Sequence, residues 1–240
     1  MFEKFEKLQL VWLALILAFG LIIAVKSGTV TLSKDNISVT GSAYQVVKSD
    51  SARLVVDIKS RKPSKSEAYS VIKKQLPVVT EYLKSKGLDD IEVKPINSYY
   101  VYKYNPNGTS TNEIAYYNAS QAIEIKSNNV DKIKETALDI QNLYEKGIDI
   151  DVTNPEYYYY SGLADLKVKL LKDATTDAKD RATAMLKATH NRPGKIQSVN
   201  MGVFQITPVD STNVSDMGIN DTTTIEKKVT AVANVVFRIK

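Results

Sequence analysis

The chain has 240 residues and a formal net charge of +5, enough length for one or two buried cores, and it lacks the Lys/Arg stripe that nucleic-acid binding needs. Cysteine is absent and His190 is the single histidine, which excludes disulfides, thiolate metal sites and cysteine nucleophiles and leaves no cluster to hold a metal. Neither a G-x-S-x-G elbow nor a P-loop occurs, so the sequence assigns no catalytic residue, no cofactor and no small-molecule substrate.

From Leu10 to Val25 the chain holds only Val, Trp, Leu, Ala, Ile, Phe and Gly. With Leu8 and Gln9 this run spans roughly 27 Å as a helix, close to the ~30 Å hydrocarbon slab. Three readings compete: a transmembrane anchor, a cleaved signal peptide and a buried core helix. The run is longer than the ~7 to 15 residues of a signal peptide and leaves through Val25-Lys26-Ser27, a poor cleavage site. Beyond Lys26 the composition becomes that of a soluble domain, which argues against a core helix. The anchor is the preferred reading, with Leu10, Trp12, Leu13, Ile16, Phe19, Ile22 and Ile23 as its lipid-facing bulk. Lys4 and Lys7 are balanced by Glu3 and Glu6, so charge hardly sets orientation. The short head and the long following chain favour an N-terminus inside and an extracytoplasmic domain, periplasmic or at the cell surface. Residues 1–27 are therefore read as anchor, 28–35 as spacer and 36–240 as one folded domain.

Alternation of Ile37, Val39 and Gly41, then of Ala52, Leu54, Val56 and Ile58, predicts two strands turned near Lys48 to Ser51. Gly41 inside the first signals a bulge or a close backbone approach. Ser64 and Glu67 form a capping box that opens a helix over 64–86, kinked by Pro77 and stopped at Gly87. Residues 91–126 read as a long hairpin turned at Asn105-Pro106-Asn107-Gly108. A second helix from Asn129 to Gly147 buries Val130, Ile133, Ala137, Ile140 and Tyr144. A strand through Ile148, Ile150 and Val152 follows, then the run Tyr157 to Tyr160. The longest helix, Leu163 to about Thr189, carries Ala174, Ala178, Ala182 and Leu186 four apart, a stripe suited to close packing. A strand over 195–206, an exposed loop over 207–224 and a strictly alternating strand from Val229 to Ile239 close the chain. Strands joined by short turns with helices on one side make the fold class α+β, antiparallel sheets with three long helices packed on them.

Val39-Thr40-Gly41-Ser42-Ala43 with Asp50-Ser51-Ala52, then Tyr117 to Ile125, Ala174 to Leu186 and Gly194-Lys195-Ile196 resemble the SIMPL-domain family over roughly Asn36 to Lys240. The resemblance implies an α+β fold in exported or membrane-anchored proteins, some linked to oxidative-stress defence and some described as periplasmic immunogenic proteins, with no established enzymatic activity. It also implies a glycine-containing helix end where Thr189-His190-Asn191-Arg192-Pro193 stands here.

His190 reads as a surface residue at a helix end, where an imidazolium favours the dipole. Asp149 and Asp151 share a strand and read as a solvated face, since nothing in the sequence brings a partner to them. The fourteen tyrosines are the unusual feature. Tyr99, Tyr100, Tyr102, Tyr104, Tyr116 and Tyr117 fit three readings: half-buried strand positions, a homo-oligomer interface, or a platform for stacking wall glycans or a small ligand. Their exposure decides between these. The functional expectation is a non-enzymatic, membrane-anchored protein acting through assembly, in envelope or oxidative-stress defence.

Overall fold

The computed structural model describes residues 35–153 and 156–240, together with Ala18. The predicted anchor residues Leu10, Trp12, Leu13, Ile16, Phe19, Ile22 and Ile23 lie outside the described residues. No helix among the described residues is long and apolar enough to cross a membrane.

Two five-stranded sheets, each with its own helical cover, make up an α+β fold. Strand β1 (Asn36–Lys48) pairs along its whole length with β10 (Glu226–Ile239). The far side of β10 pairs with β7 (Pro193–Met201) and β8 (Gln205–Pro208). The two-residue β9 (Ile219–Asn220) runs parallel to β8. Over this sheet lies α3 (Leu163–Lys187). In the second sheet β3 (Asp90–Tyr104), β4 (Ser110–Ser127) and β2 (Ser51–Lys62) run antiparallel in that order. The short β5 (Ile150–Val152) and β6 (Tyr157–Tyr159) both pair with the other edge of β2. Its cover is α1 (Lys65–Ser85) and α2 (Val130–Asp139), the latter tightening into a 3-10 helix over Ile140–Lys146.

The predicted turn between the first two strands does not make a hairpin, because β1 and β2 enter different sheets. A two-residue hairpin needs left-handed backbone, and neither Ser49 nor Asp50 has positive φ. Instead the Ser49 amide donates to the Ile225 carbonyl and the Asp50 amide to that of Tyr159. Ser161 closes the junction, donating from its amide and hydroxyl to the Asp50 carboxylate, which lowers that carboxyl below its ordinary range.

Ser64 caps α1 by accepting from the Glu67 amide, and Asn129 caps α2 by accepting from Lys132. Tyr144, predicted to be buried, is exposed. At three residues per turn the 3-10 segment turns Leu143 inward after Ile140 and carries Tyr144 out. The strand expected over 195–206 is broken into β7 and β8. The loop expected over 207–224 holds the end of β8, all of β9 and the buried Asp221. Tyr157 to Tyr159 form a strand because they complete the edge of β2, and Tyr158 is buried there.

Candidate functional site

The β3–β4 hairpin outruns its sheet. Strand β2 ends at Lys62, opposite Tyr117, so beyond that row β4 pairs only with β3. The result is a two-stranded arm with both edges unpaired among the described residues. Asn105-Pro106-Asn107-Gly108 turns it as predicted: Gly108 takes φ +82°, its amide donates to the Asn105 carbonyl at 2.9 Å, and the Asn107 side chain accepts from the Thr109 amide.

Alternation sorts the arm's side chains into two rows. Tyr100 stands opposite Tyr117 and Tyr102 opposite Ile114; two residues apart on β3, the tyrosines share one face, and the irregularity after Val101 is an extra residue on β4, Ala115. Their rings meet edge to face, 5.1 Å between the centroids of Tyr100 and Tyr102 and 6.3 Å between those of Tyr100 and Tyr117. These rings are not core: Tyr100 is 51% exposed, Tyr99 65% and Tyr104 67%. Tyr102 and Ile114 are also exposed, whereas Tyr116 and Tyr117 at the base are half-buried.

The opposite row carries Tyr99, Val101 and Tyr116 and faces away from α1 and α2. The Arg61 guanidinium stacks 4.5 Å from the Tyr116 ring centre, and its Nε donates to the Asn118 side-chain oxygen at 3.2 Å. Tyr99, Asn118, Ser120, Arg61, Lys59 and Asp149 border a shallow groove of about 300 Å³ at the base of the arm.

Asp149 and Asp151 are both exposed, on the solvated face read in sequence, but Asp151 does not stand alone there. Sheet pairing sets Asp57 of β2 directly beside Asp151, a partner that no linear motif announces. The pair is occupied: Lys59 binds Asp151, Thr153 donates to Asp57, and the Tyr144 hydroxyl donates to Asp151 at 3.3 Å. The Lys59 ammonium holds the Asp151 carboxyl below its usual range, so it stays ionised and has no role as a proton donor at neutral pH. Among the described residues no group of three His, Asp or Glu side chains could hold a metal. His190 is exposed, with φ +58°, at the end of α3.

A second site escaped sequence reasoning. Where the two sheets meet, Val47, Tyr158, Tyr160, Ile206, Asp221 and Lys227 border a cavity of about 120 Å³. Lys227 is buried in the inward row of β10 and donates to both the backbone carbonyl (2.8 Å) and the carboxylate (3.3 Å) of Asp221. Burial alone would raise the Asp221 carboxyl, but hydrogen bonds from Thr224 and Thr223 and the Lys227 charge hold it at about 2. Burial likewise pulls the Lys227 ammonium down, with Asp221 offsetting part of the effect. The parity of β10 was the available signal, since Lys227 stands in the same alternating row as Val229, Ala231 and Ala233.

The profile of the SIMPL family, "Protein of unknown function (DUF541)", matches residues 37–237 of this chain. No curated protein matches it in sequence.

Proposed function

We propose that this chain, which belongs to the SIMPL family, is a membrane-anchored extracytoplasmic protein without enzymatic activity of its own, acting by assembly with further copies of itself through the tyrosine arm. The observation that carries this reading is the exposed row of Tyr100, Tyr102 and Tyr104 on an arm that no helix among the described residues covers. Aromatic rings held rigid on a strand and left in water are the composition of an interface core. Anchoring by residues 8–25 would concentrate the copies in one plane with one orientation, so that a weak contact counts and a head-to-tail contact closes into a ring. The setting, envelope integrity or oxidative-stress defence, rests on the family resemblance alone.

The test is the particle mass of the detergent-solubilised protein. Tyr100→Ser with Tyr102→Ser should reduce it to that of the protomer, since central aromatic contacts carry about 2 kcal/mol each. Far-ultraviolet circular dichroism should hardly change, because both rings lie outside the core clusters. A monomeric native protein, or a double variant of unchanged mass, rejects the arm as an interface. The topology has its own check: external protease should digest the domain on intact cells and spare it in inside-out vesicles.

The groove beside Arg61 favours a second reading, a module for wall glycan or a small ligand. Its exposed Tyr99 ring, stacked Arg61 and two polar side chains, Asn118 and Ser120, are the elements of a saccharide subsite. Titration with soluble wall fragments separates the two readings. Binding lost in Tyr99→Ser at unchanged particle mass would favour the groove over the arm.

A further inference from the structure

Four segment ends meet at the end of the β1–β10 sheet where the described chain begins. The Ile239 amide donates to the Asp35 carbonyl at 2.7 Å, and Asn36 stands opposite Arg238. Arg192 and Lys240 exchange backbone hydrogen bonds of 2.9 Å each way, and Pro193 stands opposite Ile239. The last turn of α3 closes onto the same place through the Asn191 amide, which donates to the Leu186 carbonyl. This juxtaposition collects Lys187, Arg192, Lys195, Arg238 and Lys240, all exposed. None of the five makes an ion pair with another described residue. Residues 36–49, 187–208 and 229–240 contain no Asp or Glu, so Asp35 is the one acidic side chain among these segment ends. Ile196, half exposed beside Lys195, adds an apolar side chain to the rim.

We infer that this basic pole docks the domain onto the anionic headgroups of a lipid bilayer. Charge complementarity supplies the first argument, and the place where the chain continues supplies the second. Asp35 sits at the pole, and only residues 26–34 separate it from the apolar run ending at Val25, a link that reaches at most about 30 Å. A tether that short keeps the five cations near any membrane holding that run, and headgroup attraction falls off within a Debye length of ~10 Å, so contact requires this pole to face the bilayer. The tyrosine tip lies at the opposite end of its own sheet from the junction, which leaves it free to meet a neighbour. The inference rests on the anchor reading, and the experiment separates the two.

Because the chain has no cysteine, Asn191→Cys and Asn107→Cys each place one environment-sensitive fluorophore, at the pole and at the arm tip. The full-length labelled protein is reconstituted into vesicles of phosphatidylcholine alone or with three-tenths phosphatidylglycerol. The expected result is a blue shift of the pole label on the anionic vesicles only, reversed by ~0.5 M salt, with the tip label unmoved. Each cation contributes roughly five-fold, so Lys187→Gln with Lys195→Gln and Arg238→Gln should weaken the contact about a hundred-fold and abolish the shift. An equal signal on neutral and anionic vesicles overturns the inference, as does a shift that survives in the triple variant. The same shift on adding duplex DNA in detergent overturns the lipid assignment in favour of a general polyanion surface. Release of the protein by alkaline carbonate overturns the anchor reading only; the pole is then judged by flotation with phosphatidylglycerol vesicles, where salt-reversible flotation supports it and none refutes it.

Discussion

The β3–β4–β2–β5 sheet and the β1–β10 sheet bury their inner faces by different means. The first is covered by two helices that stand off on large side chains: Leu54, Ile58, Ile72, Leu83, Ile123 and Ile125 are all fully buried there. The second is covered by one helix that approaches until backbones touch. Ala174, Ala178 and Ala182 line α3, and a Cβ built on Gly41 would lie 2.1 Å from the Ala174 carbonyl oxygen and 2.4 Å from the Ala178 nitrogen. Behind α3, the Asp177 carboxylate accepts from the Ser42 amide at 2.8 Å, tying the helix to the free edge of β1. Large side chains can relax around an altered neighbour, whereas a backbone contact has no flexible atom to give way. The first core is thus set by volume and the second by the absence of a side chain.

The sharpest test of that difference adds one methyl to one core and removes one from the other. Gly41→Ala should destabilise by about 3 kcal/mol or more, since α3 must lift from the sheet, while Ile123→Val should cost about 1 kcal/mol. Urea titration followed by hydrogen exchange of α3 and α1 amides checks both. Equal costs in the two variants would mean that α3 shifts freely and that the two cores do not differ in this respect.

Acid should act on the seam between the two. Asp221 titrates at about 2 in the folded chain against an ordinary 3.8. The folded value is the lower one, so its contribution is complete above about pH 4 and is lost as pH falls toward 2. Nearly two pK units correspond to about 2 kcal/mol. Lys227 belongs to β10, and the Tyr158 amide of β6 donates to the Thr222 carbonyl beside Asp221, so the loop spans both sheets. Stability measured from pH 5 to pH 2 should fall steeply. The paired replacement Asp221→Asn with Lys227→Met should lose that slope without stranding a buried charge. An unchanged slope would assign the acid sensitivity to surface carboxylates.

Periodicity in the sequence was enough to place the helices and the long strands, because 21 and 25 residues of α1 and α3 repeat their buried positions many times over. Gly41 and the alanine stripe were also legible, being residue types whose meaning is close approach. Sheet membership was not. Ser49-Asp50 reads as a link between adjacent strands, and only long-range bonds to Ile225, Tyr159 and Ser161 reveal that it passes between sheets. Asp57 beside Asp151 and Arg61 over Tyr116 depend on cross-strand register, which no local pattern encodes. Exposure of the tyrosines was equally hidden, since it follows from where β2 stops and not from anything in β3.

The smallest expected effect concerns how the helices end. Both helical covers of the first sheet finish in the same way: Gly87 and Gly147 take φ +71° and +74°, and the next residues, Leu88 and Ile148, donate back to the Leu83 and Leu143 carbonyls. At each end both residues joined by that bond are buried. The end of α3 repeats the pattern, with His190 donating to Lys187 and Asn191 to Leu186, but it puts a histidine at φ +58° and an exposed Asn191 where the others bury an aliphatic. A side chain in left-handed backbone costs about 1 to 2 kcal/mol, and glycine returns part of the gain through the extra freedom of the unfolded chain. His190→Gly should therefore stabilise by roughly 0.5 to 1 kcal/mol, a rise in Tm of about 2 °C for a domain of this size. Gly87→Ala and Gly147→Ala should move Tm the other way by a similar or larger step. A fall in Tm for His190→Gly would show that the imidazole gives the end of α3 more than the strained backbone takes from it, and the helix ends of the two sheets would then differ in kind.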